Sequence, residues 1–169
     1  MEVSGAHAIV TCGASGLGAA TARWLSRQGM NVSIVDVDEA SGRLVTNESG
    51  GLFLKAFVRD AEDVNWALDE ACAKYRPAYI LVNCGGVAPN IPMFGAHRLH
   101  PADVFRSILE TNLVGTFLMA SRFATQRPAR RPDFPSKAWS ECWLRPSGED
   151  RRSQRATRVR PLCTSATKI

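Results

Sequence analysis

Residues 11–18 read Thr11-Cys12-Gly13-Ala14-Ser15-Gly16-Leu17-Gly18, a glycine-rich turn set between two runs of different period. Before it, Ala8-Ile9-Val10 is short, apolar and strand-like. After it, residues 19–28 have helical spacing, and Gly29 stands where a helix C-terminal glycine belongs. Strand, glycine turn and helix together aim backbone N–H groups at one point. Glycines let the backbone approach a ligand closely, and the positive end of the helix dipole favours a phosphate. No Gly-Lys-Ser/Thr follows the glycines, which excludes a triphosphate-cradling P-loop. Taken alone, the turn fits either a dinucleotide site or an ordinary strand-to-helix connection.

The next segment narrows the choice. Asn31-Val32-Ser33-Ile34-Val35-Asp36 reads as a second strand ending in a carboxylate, 18 residues beyond Gly18. A carboxylate about 20 residues past a glycine turn is placed to accept hydrogen bonds from an adenosine ribose. It also repels a 2′-phosphate, so the expected cofactor is NAD rather than NADP. Asp38 and Glu39 lie close by and are the alternatives. Asp36 is preferred because it directly follows the apolar run.

Strand and helix patterns alternate as far as residue 126. Strands are expected over residues 7–12, 31–36, 52–58 and 79–83. Helices are expected over 16–28, 38–47, 61–75 and 102–126, the first with Ala20, Trp24 and Leu25 facing inward. Val64, Ala67, Leu68, Ala71 and Tyr75 share one face of the third. Strands apolar on both faces, alternating with helices, imply a doubly wound parallel sheet covered on both sides, a Rossmann-like α/β fold. Its switch point lies beside the first strand, where the glycine turn sits. The fourth strand would stand at a sheet edge. The fourth helix is apolar most of the way round. Phe105, Ile108, Leu109, Leu113 and Phe117 make one face, and Val104, Val114, Leu118 and Met119 much of another. One face can cover the sheet, and the other then needs a further layer or a second subunit.

After Gln126 the pattern stops. Residues 127–169 hold 11 of the 21 Lys and Arg, 4 of the 16 Asp and Glu, and 5 of the 9 prolines. The whole +5 net charge therefore comes from this segment, since residues 1–126 carry 10 basic and 12 acidic residues. The chain divides into an α/β domain over 1–126 and a basic tail over 127–169 with no expected strand or stable helix. The tail reads as the product of a shifted reading frame or alternative exon. The competing reading is a basic arm that binds nucleic acid or another anionic surface. The arginines of 151–160 lack any base-reading motif, so nucleic acid is not the expected partner. Five scattered cysteines without ligand spacing predict free thiols in a reducing compartment and no metal site. No membrane span and no secretory signal are expected, which points to the cytoplasm.

Up to residue 126 the chain resembles the short-chain dehydrogenase/reductase family, most of all its 3-hydroxyacyl-CoA and hydroxysteroid dehydrogenase branch. Thr11, Gly16 and Gly18 match the family's Thr-Gly-x-x-x-Gly-x-Gly turn, with Gly13, Ser15 and Leu17 inside it. Cys12 replaces the first glycine, with Gly13 beside it to take over its freedom, and a side chain fits at Cys12 only if its φ need not be positive. Asp36 matches the acid that implies NAD. Asp60 matches an aspartate that contacts adenine, although it also suits an N-cap for the third helix. Asn83-Cys84-Gly85-Gly86 matches the Asn-Asn-Ala-Gly turn near the nicotinamide ribose. Asn112 matches the asparagine that holds a water of the proton relay.

The resemblance implies hydride transfer between NAD(H) and a secondary alcohol or ketone. It also implies subunit contacts through the fourth helix and leaves a mitochondrial-matrix location open. The family's acid/base is a tyrosine with a lysine four residues on, aided by a serine on the fifth strand. Tyr75 and Tyr79 are the only tyrosines, and neither has that lysine. The resemblance therefore implies a fold cut short after the fourth strand and its helix, and a chain that binds cofactor without turnover.

Overall fold

The computed structural model describes residues 3–92 and 100–126, which belong to one compact unit. The tail expected over 127–169 lies outside the described residues. Four strands, β1 (His7–Thr11), β2 (Asn31–Asp36), β3 (Leu52–Lys55) and β4 (Ile80–Asn83), form a parallel sheet in the order β3-β2-β1-β4. β1 pairs with β2 through His7↔Asn31 to Thr11↔Val35, and with β4 through Ala8↔Ile80 to Thr11↔Asn83. The order reverses at β1, so the doubly wound expectation holds and the glycine turn stands at the switch point. β3 ends at Lys55, shorter than expected, although Ala56 still donates to the Asp36 carbonyl (3.1 Å).

The period of two along the central strands splits the core. Ala8, Val10, Val32 and Ile34 face one way and pack under α1 (Gly16–Arg27) and α2 (Glu39–Ser49). Ile9, Val35 and Leu54 face the other way and pack under α3 (Ala61–Tyr75). The buried valine, isoleucine and leucine side chains among these contribute roughly 1.5–3 kcal/mol each. The inner face of α1 differs from the expected one. Gly18, Ala19, Ala22 and Leu25 are buried, whereas Ala20 and Trp24 face solvent. Small residues on the inner side let α1 lie close on the sheet. α1 ends at Gly29 (φ 79°) as expected, with Met30 N–H closing on the Leu25 carbonyl.

The expected fourth helix is interrupted. α4 (Ala102–Leu109) runs into a π-helical turn (Glu110–Val114) and then α5 (Gly115–Thr125). Two tertiary contacts account for the wide turn. The Asn112 side chain is held at both ends by Val87, and Gly115 lies flat against Val58, where a Cβ would come 2.8 Å from Val58 Cγ2. An inserted residue lets both contacts form at once. Met119 and Phe123 then enter the core. The stripe expected to offer one apolar face remains open, with Phe105, Leu113 and Phe117 more than half exposed. β4 stands at the sheet edge, and its Ile80, Leu81 and Val82 are half-buried. No helix among the described residues is long and apolar enough to cross a membrane.

At the amino end of the sheet, His7 is buried. Its Nδ1–H donates to the Arg76 carbonyl (2.9 Å), and its Nε2 accepts from the Ser33 hydroxyl (2.9 Å). Burial lowers its pKa more than the Arg76 contact restores it. Below the ordinary histidine value of about 6.5 the unfolded chain then binds a proton that the folded chain resists. Stability contributed by neutral His7 is present above pH 6.5 and is lost as pH falls towards its lowered folded pKa. Urea midpoints at pH 7.5, 6.5 and 5.5 should fall with pH in the wild type. His7→Gln, which keeps a donor and an acceptor, should flatten that dependence by up to about 1.4 kcal/mol per pH unit.

Candidate functional site

The turn leaves β1 at Cys12, whose N–H still donates to the Val35 carbonyl (2.8 Å). The chain then reverses through two residues of positive φ, Cys12 (48°) and Gly16 (51°). The left-handed backbone therefore falls on Cys12 itself. Gly13 does not take it over. Gly13 serves packing instead, since a Cβ there would come 2.5 Å from Ile34 Cγ2. A Cβ on Gly18 would land on the Cys12 carbonyl. Ser15 is the extended N-cap of α1 (φ −148°, ψ 172°), and its side chain makes no capping bond. Ser15, Gly16 and Leu17 are exposed, and the first turn of α1 carries no acidic residue. The first-turn N–H groups thus lack a side-chain acceptor, which makes this helix end receptive to an anion.

Asp36 sits at the carboxyl end of β2, directly behind that turn. Its Oδ2 accepts from Ala14 N–H (3.0 Å) and its Oδ1 from Asp38 N–H (3.1 Å). These bonds fix the carboxylate in place and leave lone pairs for hydroxyl donors. The two alternatives are committed elsewhere. Asp38 caps α2 through Ser41 N–H (3.1 Å), and Glu39 pairs with Arg43 (2.8 Å) and Lys55 (3.5 Å).

Thr11 joins this half to the turn after β4. Its buried hydroxyl accepts from Cys84 N–H (3.0 Å) and Gly85 N–H (3.1 Å), and donates to Asn83 Oδ1 (3.4 Å). Thr11 therefore positions Asn83 and Gly85. The Cys12 thiol lies on the same turn, where Gly86 N–H donates to it and a Cβ on Gly85 would come 3.3 Å from its Sγ. Burial pushes the Cys12 thiol pKa up, and the Asp36 carboxylate adds to the rise. Cys12 is thus a protonated packing group at neutral pH and a poor nucleophile. Asn112 Oδ1 accepts from Val87 N–H (2.8 Å), and its Nδ2 donates to the Val87 carbonyl (3.0 Å). Its side-chain amide steadies the loop after β4, with Gly86 alongside.

Asp60 is the N-cap of α3, its Oδ1 accepting from Glu62 N–H (2.8 Å) and Asp63 N–H (3.0 Å). Both cap bonds use one oxygen. A cavity of about 240 Å³ opens at the carboxyl ends of the strands. Of the anticipated site residues only Asp36 lines it, joined by Cys12. Its other walls come from residues that no motif marked, among them Val37, Phe57 and Arg59 past the ends of β2 and β3, Ser107 from α4 and Thr111 from the π-helical turn. Their one sequence signal was position, immediately after a strand end or beside Asn112.

Residues 6–131 match the family model described as short chain dehydrogenase. The chain belongs to the short-chain dehydrogenase family. Its similarity to 3-hydroxyacyl-CoA dehydrogenase type-2 of Drosophila melanogaster is 33% identity over 135 residues, 78% of this chain and 53% of that protein. The human protein of the same name is also 33% identical, over 78% of this chain and 52% of its own length. L-fucose dehydrogenase of Bos taurus is 36% identical over 69% of this chain and 42% of its own. A crystal structure titled ribose-5-phosphate isomerase from Brucella melitensis superposes with a TM-score of 0.67 and 34% identity, over 73% of this chain and 47% of that one. The chain spans about half the length of the curated relatives it matches.

Within this family's turn the departure at Cys12 has a measurable consequence. Cys12→Gly removes a left-handed side chain and should raise stability by up to about 1 kcal/mol, net of the greater freedom of glycine in the unfolded chain. Gly18→Ala should lower it by roughly 1–3 kcal/mol, because the added methyl meets backbone that cannot swing aside. Thermal melts of the two variants against the wild type check both signs.

Proposed function

We propose that residues 3–126 bind NAD(H). The uncapped amino end of α1 carries this reading. Ser15, Gly16, Leu17 and Gly18 present backbone N–H groups there to the pyrophosphate, and Gly13 keeps the turn close to β2. Asp36 accepts from the ribose hydroxyls and disfavours a 2′-phosphate. Asp60 caps α3 and turns its second oxygen to the adenine amino group. The Asn83–Gly86 turn, held by Thr11, borders the nicotinamide ribose, and Asn112 keeps the neighbouring loop in place. A bound NAD supplies the hydride acceptor, and the matching substrate class is a secondary alcohol or ketone such as a 3-hydroxyacyl-CoA or hydroxysteroid.

Turnover also needs a group that moves the accompanying proton near working pH. In these 169 residues neither tyrosine is followed four positions on by lysine, and no strand-five serine is recognisable. The chain as given therefore binds cofactor without catalysing hydride transfer. Among the described residues, Cys12, Cys72 and Cys84 are free thiols, which accords with a reducing compartment such as the cytoplasm or mitochondrial matrix.

NADH titrated into the full chain should quench tryptophan fluorescence and raise the melting temperature. Asp36→Ala should narrow the preference for NADH over NADPH. No shift at millimolar NADH sinks the binding claim. Oxidation of a 3-hydroxyacyl-CoA above background sinks the claim of no turnover.

The open helix face supports a second, non-catalytic reading. Phe105, Leu109, Leu113 and Phe117 recur every four residues and are 52%, 41%, 65% and 67% exposed. A self-complementary apolar stripe of this kind suits a two-fold pairing with a second copy. Sedimentation should show a dimer at tens of micromolar, and Leu113→Glu with Phe117→Glu should return it to monomer. A wild-type monomer at that concentration excludes the pairing.

A further inference from the structure

The 240 Å³ cavity is smaller than the roughly 300–1,000 Å³ typical of whole-ligand pockets, so it suits one part of a larger ligand. Asp36 stands in its wall and sets which part. A base is joined to the ribose ring whose hydroxyls Asp36 receives, so the space next to that carboxylate is base-sized space. Val37, Val58 and Val87 give it apolar walls. Its single basic wall residue is Arg59.

Arg59 does not behave as an ordinary surface cation. Among the described residues it makes no ion pair, although Asp60, Glu62 and Asp63 follow it closely in sequence. Its guanidinium lies instead 5.5 Å from the centroid of the Phe57 ring. One Nη–H also donates to the Ser107 hydroxyl (3.3 Å), which spans from the end of β3 to α4. An arginine held this way has its plane fixed before any ligand arrives. Planar guanidinium stacks on aromatic faces, and fixing it beforehand reduces the entropy lost on binding.

We propose that Arg59, steadied by Phe57 and Ser107, is a specificity residue that stacks on the adenine ring of the dinucleotide. The assignment rests on the NAD reading above and adds to it a residue that no motif marks. The contact is electrostatic and dispersive, with no proton or bond exchanged. It favours the purine end of the ligand and leaves the nicotinamide end untouched.

The test uses the full chain and three probes: NADH, ADP-ribose and nicotinamide mononucleotide. Arg59→Ala should weaken NADH and ADP-ribose by about three- to tenfold and leave nicotinamide mononucleotide unchanged. Ser107→Ala should weaken the same two by a smaller factor. Arg59→Lys keeps the charge and loses the plane, so it should recover less than half of the loss. Melting temperatures of the unliganded variants should match the wild type, which separates stacking from folding. Equal affinity of wild type and Arg59→Ala for ADP-ribose overturns the assignment while the NAD reading stands. Full recovery by Arg59→Lys overturns stacking in favour of a charge contact. Failure of the wild type to bind either adenine probe overturns both.

Discussion

The hydroxyl of Thr11 is the contact on which the rest of the site depends. β1 lies between β2 and β4, where the strand order reverses, and Thr11 is its last residue. Two backbone N–H donors and one side-chain oxygen from the turn after β4 converge on that single buried oxygen. The turn before α1 and the turn after β4 are therefore fixed to one atom group. Without it, two backbone donors next to the site would lose a partner, at a cost of about 1–3 kcal/mol each where buried. The Cys12 thiol, resting on Gly85 and Gly86, extends the same junction by one residue.

The strands and three of the helices were legible because burial imposes a period. Ile9 and Val10, or Ile34 and Val35, go to opposite faces of the sheet and both are buried, so the sequence shows continuous apolar runs. Val64, Ala67, Leu68 and Ala71 repeat with the helix. Trp24 misled because hydrophobicity alone does not say which side of α1 is inward. Close approach to the sheet selected alanines, and the large ring was left outside. The π-helical turn was invisible for a related reason. It answers contacts with Val87 and Val58, residues 25 and 57 positions away from Asn112 and Gly115, and leaves no local signature. The cavity walls follow the same logic. Arg59 and Ser107 are 48 residues apart and acquire a shared role only when β3 and α4 are brought side by side.

Asp36 and Asp60 show the two ways in which a site residue is read from sequence. Asp36 was distinguished from Asp38 and Glu39 by where the apolar run stops, and the structure gives each of the three a separate task. Asp60 carried two readings, and the cap is the one that local geometry alone determines. A carboxylate one residue before a helix meets two N–H donors whatever else lies near. That the cap needs only Oδ1 is what keeps the second role chemically open.

Among the described residues two non-glycine residues hold positive φ, and they sit at opposite ends of the sheet: Cys12 at the carboxyl end and Arg76 at the amino end. Such backbone costs roughly 1–3 kcal/mol and persists only where surrounding contacts over-determine it. Both positions meet that condition. Arg76 N–H closes α3 on the Cys72 carbonyl, its own carbonyl is held by His7, and Pro77 follows. Cys12 N–H is held by Val35, and its side chain is seated on the β4 turn. The strain at Cys12 is therefore set by the strand framework before any ligand arrives. The contacts that hold Cys12 also hold the direction of the turn's N–H groups. A side chain that looked like a defect in a glycine motif thus sits in a turn that is already rigid.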